Sequence, residues 1–377
     1  MCDSSRERKQ LDANGFDIHD SSLLLNSNGE QYDGVYTTDL LLDKSLSVIE
    51  EFSNKAKDNN EERLFLHISM AATHGGLSDE PQFKESELNS NELLLNISKK
   101  SQERGAFATM ANNLDASLER IVSKLEVEGI YNDSLIIVIS DNGGSSEDGS
   151  GSSNYPLRGG KFSYFNGGIM TNFVAIIPGE KRRGGEKEGS NQFNSLFTIA
   201  DIFPTILDAV GGDISTLPKD LDGKSKYQAM NDVISYSKVK EAAEIIVTGV
   251  DTVVRCGAVY FGEYKLVVNG TCGGLGFGGW KPPNDADGSI SRKPPVNEIG
   301  KDVLLFDLGF DPYEEHDLSS AGPKFEKIKN EMMKAFEERI TEAPVDRQTT
   351  NRGCDLKLVD PSVNPKLGGS YGPWILE

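Results

Sequence analysis

The sequence contains no apolar run long enough to cross a bilayer. A membrane-spanning helix needs about 18 or more consecutive apolar residues, and no stretch of the 377 residues reaches that length. Residues 1–20 also lack the apolar core of a secretory signal peptide. The sequence therefore predicts no membrane span and no signal peptide within these residues.

Basic residues are scarce relative to acidic ones. The chain has 39 Lys and Arg against 59 Asp and Glu, so its formal net charge is −20. Such a surface argues against nucleic acid and anionic membranes as partners. An anionic substrate would have to be attracted by a local basic pocket or by a bound metal ion.

Cysteines are few and show neither C-x-x-C nor zinc-site spacing; they are Cys2, Cys256, Cys272 and Cys354. Cys256 and Cys272 flank an apparent pair of strands, where a disulfide is geometrically easy. Three N-x-S/T sequences weakly favour an oxidising, secretory setting, and they begin at Asn96, Asn132 and Asn269.

The first part of the chain alternates strand and helix patterns, which predicts an α/β domain with a layered, mostly parallel sheet. The predicted helices cover 38–53, 108–129 and 196–211, and the predicted buried strands cover 63–71, 135–140 and 172–179. Gly129 is expected to end the second helix, Pro204 to break the third and Gly211 to end it. These strands are fewer than such a sheet usually holds, so the sheet is expected to be incomplete at its N-terminal side.

After about residue 225 the pattern changes to short strands with glycine-rich turns. The predicted strands cover 244–249, 252–261, 263–268 and 302–307, and an amphipathic helix covers 323–340. We expect a smaller antiparallel sheet with a covering helix. Residues 273–295 are expected to form a surface loop, and basic residues 181–189 a solvated loop. The predicted domains are therefore 1–225 and 226–377.

Candidate site residues follow two of the predicted strands. His74 comes just after 63–71, and the pair Asp141-Asn142 directly follows 135–140. Ligands of open α/β sheets bind beyond the carboxyl ends of strands, and carboxylate and amide oxygens suit Ca²⁺ or Mg²⁺. The glycine-rich loop then leads to Arg158 and to Lys161, and Lys161 can reach an anion.

Each of these residues also has an ordinary structural interpretation. Asn-Gly and Gly-Gly are common turn dipeptides, and an isolated lysine usually lies on the surface. His67 alternates within its predicted strand, so we expect it to be packed or hydrogen-bonded in the core.

Several motifs in order resemble those of the sulfatases, in the alkaline-phosphatase-like superfamily. The similarity covers "TMANNLDASLERIVSKLEVEGIYNDSLIIVISDNGG", "NYPLRGGK", "IADIFPTILDAVG" and "LLFDLGFDPYEEHDLS", and "NPKLGGSYGPW" resembles the tail of the arylsulfatase B branch. The resemblance implies that Asp141 and Asn142 are Ca²⁺ ligands and that Lys161 binds the sulfate and its ester oxygen. It also implies that His74 contacts the leaving oxygen. Arg158, in the same loop as Lys161, is predicted to contact the substrate.

The chain departs from the family's pattern at several positions. His74-Gly75-Gly76 replaces His-x-Pro, and Phe165-Asn166-Gly-Gly-Ile-Met170 replaces Trp-Glu-Gly-Gly-x-Arg. The family's Cys-x-Pro-x-Arg motif, whose cysteine becomes the formylglycine nucleophile, is absent, since Ser4 replaces its proline in "CDSSR". An Asp-Asp pair and a Gly-Lys-Trp-His segment are also absent.

These departures predict a sulfatase truncated at its N-terminus, with no nucleophile in this chain. The expected function is a sulfuric ester hydrolase of the arylsulfatase type, acting on a sulfated glycan or small molecule. The complete protein is expected to be a secreted or lysosomal glycoprotein. Two alternatives are a non-catalytic binder of sulfated glycans and a phosphatase or phosphodiesterase of the same superfamily.

Overall fold

The computed structural model describes residues 35–56, 62–74, 83–146, 150–176, 196–231, 244–252, 254–272, 278–283, 292–298 and 301–343. Cys2, the basic segment 181–189 and the tail 364–374 lie outside the described residues, so the predictions for them are not tested.

The described α-helices are α1 (Thr37–Ala56), α2 (Glu85–Ser90), α3 (Glu92–Ser98), α4 (Gln102–Val127), α5 (Asn166–Ile169), α6 (Ile202–Ala209), α7 (Tyr227–Asn231) and α8 (Pro323–Glu342). The strands are β1 (Ile136–Ile139), β2 (Phe173–Ile176), β3 (Ile245–Asp251), β4 (Cys256–Phe261), β5 (Tyr264–Val268) and β6 (Val303–Asp307). Among the described helices none is long and apolar enough to span a membrane.

The chain divides into two units by its contacts. In the described residues, one unit comprises 35–131, 139–172 and 245–343, and the other comprises 132–138 and 173–244. This division differs from the predicted boundary after residue 225. The reason is that segment 139–172 has hydrogen-bonded partners in the C-terminal sheet, such as the Lys265 ammonium for the Asn166 side chain.

Helices α1 and α4 follow the predicted apolar periodicity. Leu42, Ile49, Met110 and Leu125 are buried on them, which confirms the two predicted helices. The Ser101 hydroxyl caps the start of α4 by accepting from the Arg104 N–H (3.1 Å). The helix ends before Gly129, whose φ of 75° is the left-handed conformation expected at this position.

Strands β3 to β6 form an antiparallel sheet in sequence order, and α8 covers one of its faces. Leu266, Leu305, Met332 and Phe336 are fully buried between that face and α8, which confirms the predicted small sheet and helix. A disulfide joins Cys256 to Cys272, a pairing that the sequence had left open.

The opposite face of this sheet contacts segment 158–168. Side chains alternate along a strand, so Lys265 and Val267 point away from the face of Leu266. Val267 and Phe306 form a second buried cluster with Phe165. This face therefore supports the loop that carries the candidate site.

The second unit contains most of β1, together with β2 and α6. Strands β1 and β2 pair in a two-stranded sheet. The Asp201 carboxylate accepts from the N–H groups of Thr198 and Lys224 (both 2.8 Å). The Thr205 hydroxyl, in the same helical segment, accepts from the Lys226 N–H (2.9 Å). This Asp-x-x-Pro-Thr segment therefore anchors a neighbouring loop.

Four local predictions are wrong. Residues 63–71 have no hydrogen-bonded strand partner among the described residues, and alternate positions there, including His67, are exposed. Strand β1 is only half-buried. Pro204 lies inside the first turn of α6, where its missing N–H breaks no helical bond. Trp280, predicted on a surface loop, is buried and pairs with Arg292 through backbone hydrogen bonds (2.8 Å).

Candidate functional site

The turn after β1 presents Asp141 and Asn142. The Ser140 hydroxyl donates to the Asn142 carbonyl (3.0 Å), and the Asp141 Oδ1 accepts from the Asn142 N–H (2.8 Å). The Asn142 amide nitrogen donates to the Gly143 carbonyl (2.8 Å). Asp141 is exposed and Asn142 is half-buried, so the Asp141 carboxylate is accessible.

Glycines allow this turn to approach α5 very closely. The Gly143 N–H donates to the Gly168 carbonyl (2.8 Å), and the Gly167 N–H donates to the Arg158 carbonyl (2.6 Å). A Cβ atom at Gly143 would overlap the Gly167 carbonyl oxygen. Backbone contact through α5 thus fixes the turn relative to the loop that carries Lys161.

Asn154 holds the two ends of this loop, near Gly144 and Gly159, together. Its Oδ1 accepts from the Gly144 N–H (2.8 Å), and its amide nitrogen donates to the carbonyls of Gly144 (2.8 Å) and Gly159 (3.2 Å). Sequence reasoning missed this role, although Asn154 begins one of the quoted motifs. An asparagine that follows a glycine- and serine-rich stretch was the available signal, since its side chain commonly bonds nearby backbone.

Lys161 is brought directly to the turn. Its backbone N–H donates to the Gly144 carbonyl (3.0 Å), three residues after Asp141. The side chain is half-buried, and its ammonium lies 5.5 Å from the centre of the Phe162 ring. Among the described residues no carboxylate forms an ion pair with Lys161, so this ammonium is free to bind an anion.

Arg158 lies inside the protein. Its predicted contact with the substrate stays a prediction. Arg158 is 1% exposed, and its guanidinium pairs with Glu298 (2.8 Å) and donates to the carbonyls of Gly278 (2.8 Å) and Glu314 (3.0 Å). The rings of Phe165 and Trp280 flank it, with centres 3.9 Å and 4.8 Å away. Burial lowers the pKa of Arg158, and the Glu298 carboxylate opposes that shift. Arg158 therefore anchors the loop from inside.

A buried polar network lies under the loop, and sequence reasoning missed it. The Lys265 ammonium donates to the Asn166 Oδ1 and to the Glu314 carboxylate, both at 2.7 Å. Glu314 also accepts from the Asn166 N–H (2.7 Å), and the Tyr260 hydroxyl donates to the Asn166 Oδ1 (3.1 Å). This network holds the start of α5, where an asparagine replaces the family's glutamate.

Burial governs the pKa values in this network. It lowers the pKa of Lys265, and the adjacent Glu314 carboxylate opposes the shift. Burial also raises the pKa of the Tyr260 hydroxyl far above its ordinary value, with Glu314 adding to the effect. Tyr260 is therefore a neutral donor.

His74 ends the turn 71–74, with its backbone N–H donating to the Ala71 carbonyl (2.9 Å). The side chain is exposed. The structure thus joins Asp141, Asn142 and Lys161 through backbone contacts, whereas His74 belongs to a separate turn of the same unit.

One acidic cluster lies elsewhere, on the turn after β6. Asp311, Glu315 and His316 lie close enough to share a metal ion. However, the Asp311 carboxylate already accepts from the N–H groups of Glu315 (3.0 Å) and His316 (2.8 Å). Its contacts are those of a residue that stabilises a turn.

Comparison with curated proteins reveals relatives among the sulfatases. Arylsulfatase J of Mus musculus is 26% identical over 382 residues, which cover 96% of this chain and 57% of that protein. Arylsulfatase H of Homo sapiens is 28% identical over 261 residues, which cover 65% of this chain and 43% of that protein. The chain thus spans about half the length of these curated relatives.

Solved structures show a common fold. The crystal structure of Ps i-CgsB in complex with k-i-k-neocarrahexaose is 20% identical with a TM-score of 0.59, covering 83% of this chain and 57% of that one. PsFucS1 sulfatase from Pseudoalteromonas sp. is 22% identical with a TM-score of 0.53, covering 81% of this chain and 53% of that one. The predicted alkaline-phosphatase-like fold is confirmed. The family model described as Sulfatase matches residues 5–212, more than half of the chain. The chain therefore belongs to the sulfatase family.

Proposed function

We propose that this chain provides the metal-binding and sulfate-binding part of a sulfuric ester hydrolase site. The observation that carries the proposal is the backbone bond between Lys161 and Gly144 (3.0 Å). It places the backbone of Lys161, whose ammonium has no carboxylate partner among the described residues, next to the turn of Asp141 and Asn142. A cation beside oxygen ligands for a metal can bind and polarise a sulfate.

The oxygen donors of the turn fit a Ca²⁺ ion. The Asp141 carboxylate is exposed, and its hydrogen bond comes from the neighbouring Asn142 N–H. The Asn142 amide nitrogen donates back to Gly143, which directs the amide oxygen away from that carbonyl. Asp141 and Asn142 would hold the ion together with ligands from other residues, since Ca²⁺ takes about six to eight oxygens. A bound Ca²⁺ would neutralise charge on the sulfate.

Lys161 and His74 have separate roles in the proposal. Lys161 binds a sulfate oxygen and the ester oxygen, where its positive charge stabilises negative charge that develops as the S–O bond breaks. His74 is proposed to give a proton to the leaving oxygen. The substrate is proposed to be a sulfated carbohydrate or an aryl sulfate.

The proposal assigns no nucleophile to this chain. Charge stabilisation does not replace a missing nucleophile, and no Cys-x-Pro-x-Arg motif is present in the sequence. We therefore expect binding of sulfate esters without turnover by this chain alone. Hydrolysis of 4-nitrophenyl sulfate by the purified chain would contradict this part of the proposal.

Sulfate binding is tested by calorimetric titration of inorganic sulfate into the parent and Lys161→Ala. We expect Lys161→Ala to bind at least about tenfold more weakly, because a charge-assisted hydrogen bond contributes about 1.5–3 kcal/mol. The matched control is Lys334→Ala, which removes an exposed ammonium from α8 and should leave the affinity unchanged. Equal sulfate affinities for the parent and Lys161→Ala would refute the assignment.

We also propose that the protein matures in the secretory pathway. The Cys256–Cys272 disulfide supports this, because disulfides persist mainly in oxidising compartments. Asn96 and Asn132 are exposed and accessible to glycosylation. Protein from secretory cells should migrate faster on a gel after N-glycosidase treatment, and unchanged migration would argue against glycosylation.

A further inference from the structure

Lys161 and Phe162 are the two central residues of a tight turn. The Ser163 N–H donates to the Gly160 carbonyl (3.0 Å), which closes the turn. The Ser163 hydroxyl reinforces it by donating to the Gly160 carbonyl (2.8 Å) and accepting from the Gly160 N–H (3.1 Å). Gly160 and Ser163 are buried, so the turn is anchored at both ends.

Phe162 occupies a backbone conformation that suits it poorly. Its φ is 68°, in the left-handed region where the third residue of a turn is usually glycine or asparagine. For a bulky side chain this conformation is strained, and such strain persists where the surrounding structure imposes it, most often at functional sites.

The strained residue is also exposed. The Phe162 side chain is 57% accessible to solvent and makes no contribution to the buried clusters described above. An exposed phenylalanine alone needs no explanation, but one held in an unfavourable conformation by buried neighbours does. The ring stays 5.5 Å from the Lys161 ammonium, within the range of a cation–π contact.

We propose that Phe162 is a specificity-determining residue that stacks on the ring bearing the sulfate ester. The inference rests on the proposed role of Lys161, since a sulfate held by that ammonium places the attached ring beside Phe162. The turn geometry thus couples recognition of the charge to recognition of the ring, whether sugar or aryl.

The test compares phenyl sulfate with methyl sulfate by calorimetric titration into the parent, Phe162→Asn and Phe162→Trp. The two ligands share the sulfate ester and differ in the ring. Asparagine tolerates the left-handed conformation and removes the ring, whereas tryptophan keeps an aromatic face.

We expect the parent to prefer phenyl sulfate by about three- to tenfold, as for a single aromatic contact. Phe162→Trp should keep this preference. Phe162→Asn should lose it while its affinity for methyl sulfate stays within about twofold and its Tm does not fall, because backbone strain is relieved. A merely structural phenylalanine would not separate the two ligands in this way.

Two results would overturn the stacking role of Phe162 and leave the proposed sulfate site intact. They are a parent that binds both ligands equally, or a Phe162→Asn variant that still prefers phenyl sulfate. Failure of the parent to bind methyl sulfate at all would contradict the proposed sulfate site, and the stacking role with it.

Discussion

At the scale of single residues, burial separates two cations that the sequence places three positions apart. Arg158 is 1% exposed and paired with Glu298, whereas Lys161 is half-buried without a carboxylate partner among the described residues. The motif predicted both residues at the substrate. The pairing of Arg158 with Glu298 was not predictable, because Glu298 lies far along the chain and nothing in the local sequence shows it. The position of Asp141 and Asn142 was predictable, since it depends only on where β1 ends.

Lys265 and Glu314 form a buried ion pair. Removing one partner should destabilise the protein more than replacing both. Lys265→Met leaves the Glu314 carboxylate without its cation, so we expect a loss of about 3–5 kcal/mol in the free energy of unfolding. The double variant Lys265→Met/Glu314→Gln should recover part of this, because a neutral amide can still bond Asn166. Urea denaturation gives both values.

The matched control for this pair is Lys327→Met, which removes an exposed lysine from α8 and should change the stability by less than about 0.5 kcal/mol. A Lys265→Met variant as stable as this control would contradict the buried pair.

At the scale of elements, apolar periodicity predicted the helices and strands whose formation depends on their own local sequence. Helices α1, α4 and α8 and strands β3 to β6 follow their apolar patterns. Residues 63–71 have an apolar pattern as well, yet form no described strand, because a strand also needs a hydrogen-bonded partner, which its own sequence does not supply. The burial of Trp280 likewise depends on distant groups, among them the Tyr313 carbonyl that accepts from its indole (2.9 Å).

The contact between α5 and the turn of Asp141 should tolerate no side chain at Gly143. In Gly143→Ala the new Cβ meets backbone atoms of Gly167 and Gly168, which cannot rotate away. We expect a loss of about 1–3 kcal/mol in unfolding free energy, measured by chemical denaturation, and weaker sulfate binding.

Gly309→Ala is the control for this substitution, because the three atoms nearest to its Cβ, at 3.0–3.3 Å, all belong to the flexible carboxylate end of Glu263. Its stability should stay close to that of the parent. Equal stabilities of the two alanine variants would show that the close approach at Gly143 is unimportant.

At the scale of the whole molecule, the small antiparallel sheet forms part of the candidate site's support. Lys265 on β5 and Glu314 in the turn after β6 hold the start of α5, and α5 in turn bonds Gly143. The sequence predicted a separate C-terminal domain after residue 225, because the strand pattern changes there. The sequence pattern does not show which face of a sheet contacts an earlier loop. The chain's net charge of −20 makes the local cations at this site more important for attracting an anion.

The measurement that bears most directly on the proposed site is a calorimetric titration of Ca²⁺ into the parent, Asp141→Asn and Asp115→Asn. Asp115 is an exposed carboxylate on α4, so its substitution controls for lost surface charge. We expect the parent to bind one ion with a Kd on the order of 10⁻⁴–10⁻³ M, as for a site with few protein ligands. Asp141→Asn should weaken binding by at least about tenfold, and Asp115→Asn should not. Equal Ca²⁺ affinities for the parent and Asp141→Asn would contradict a metal site at this turn.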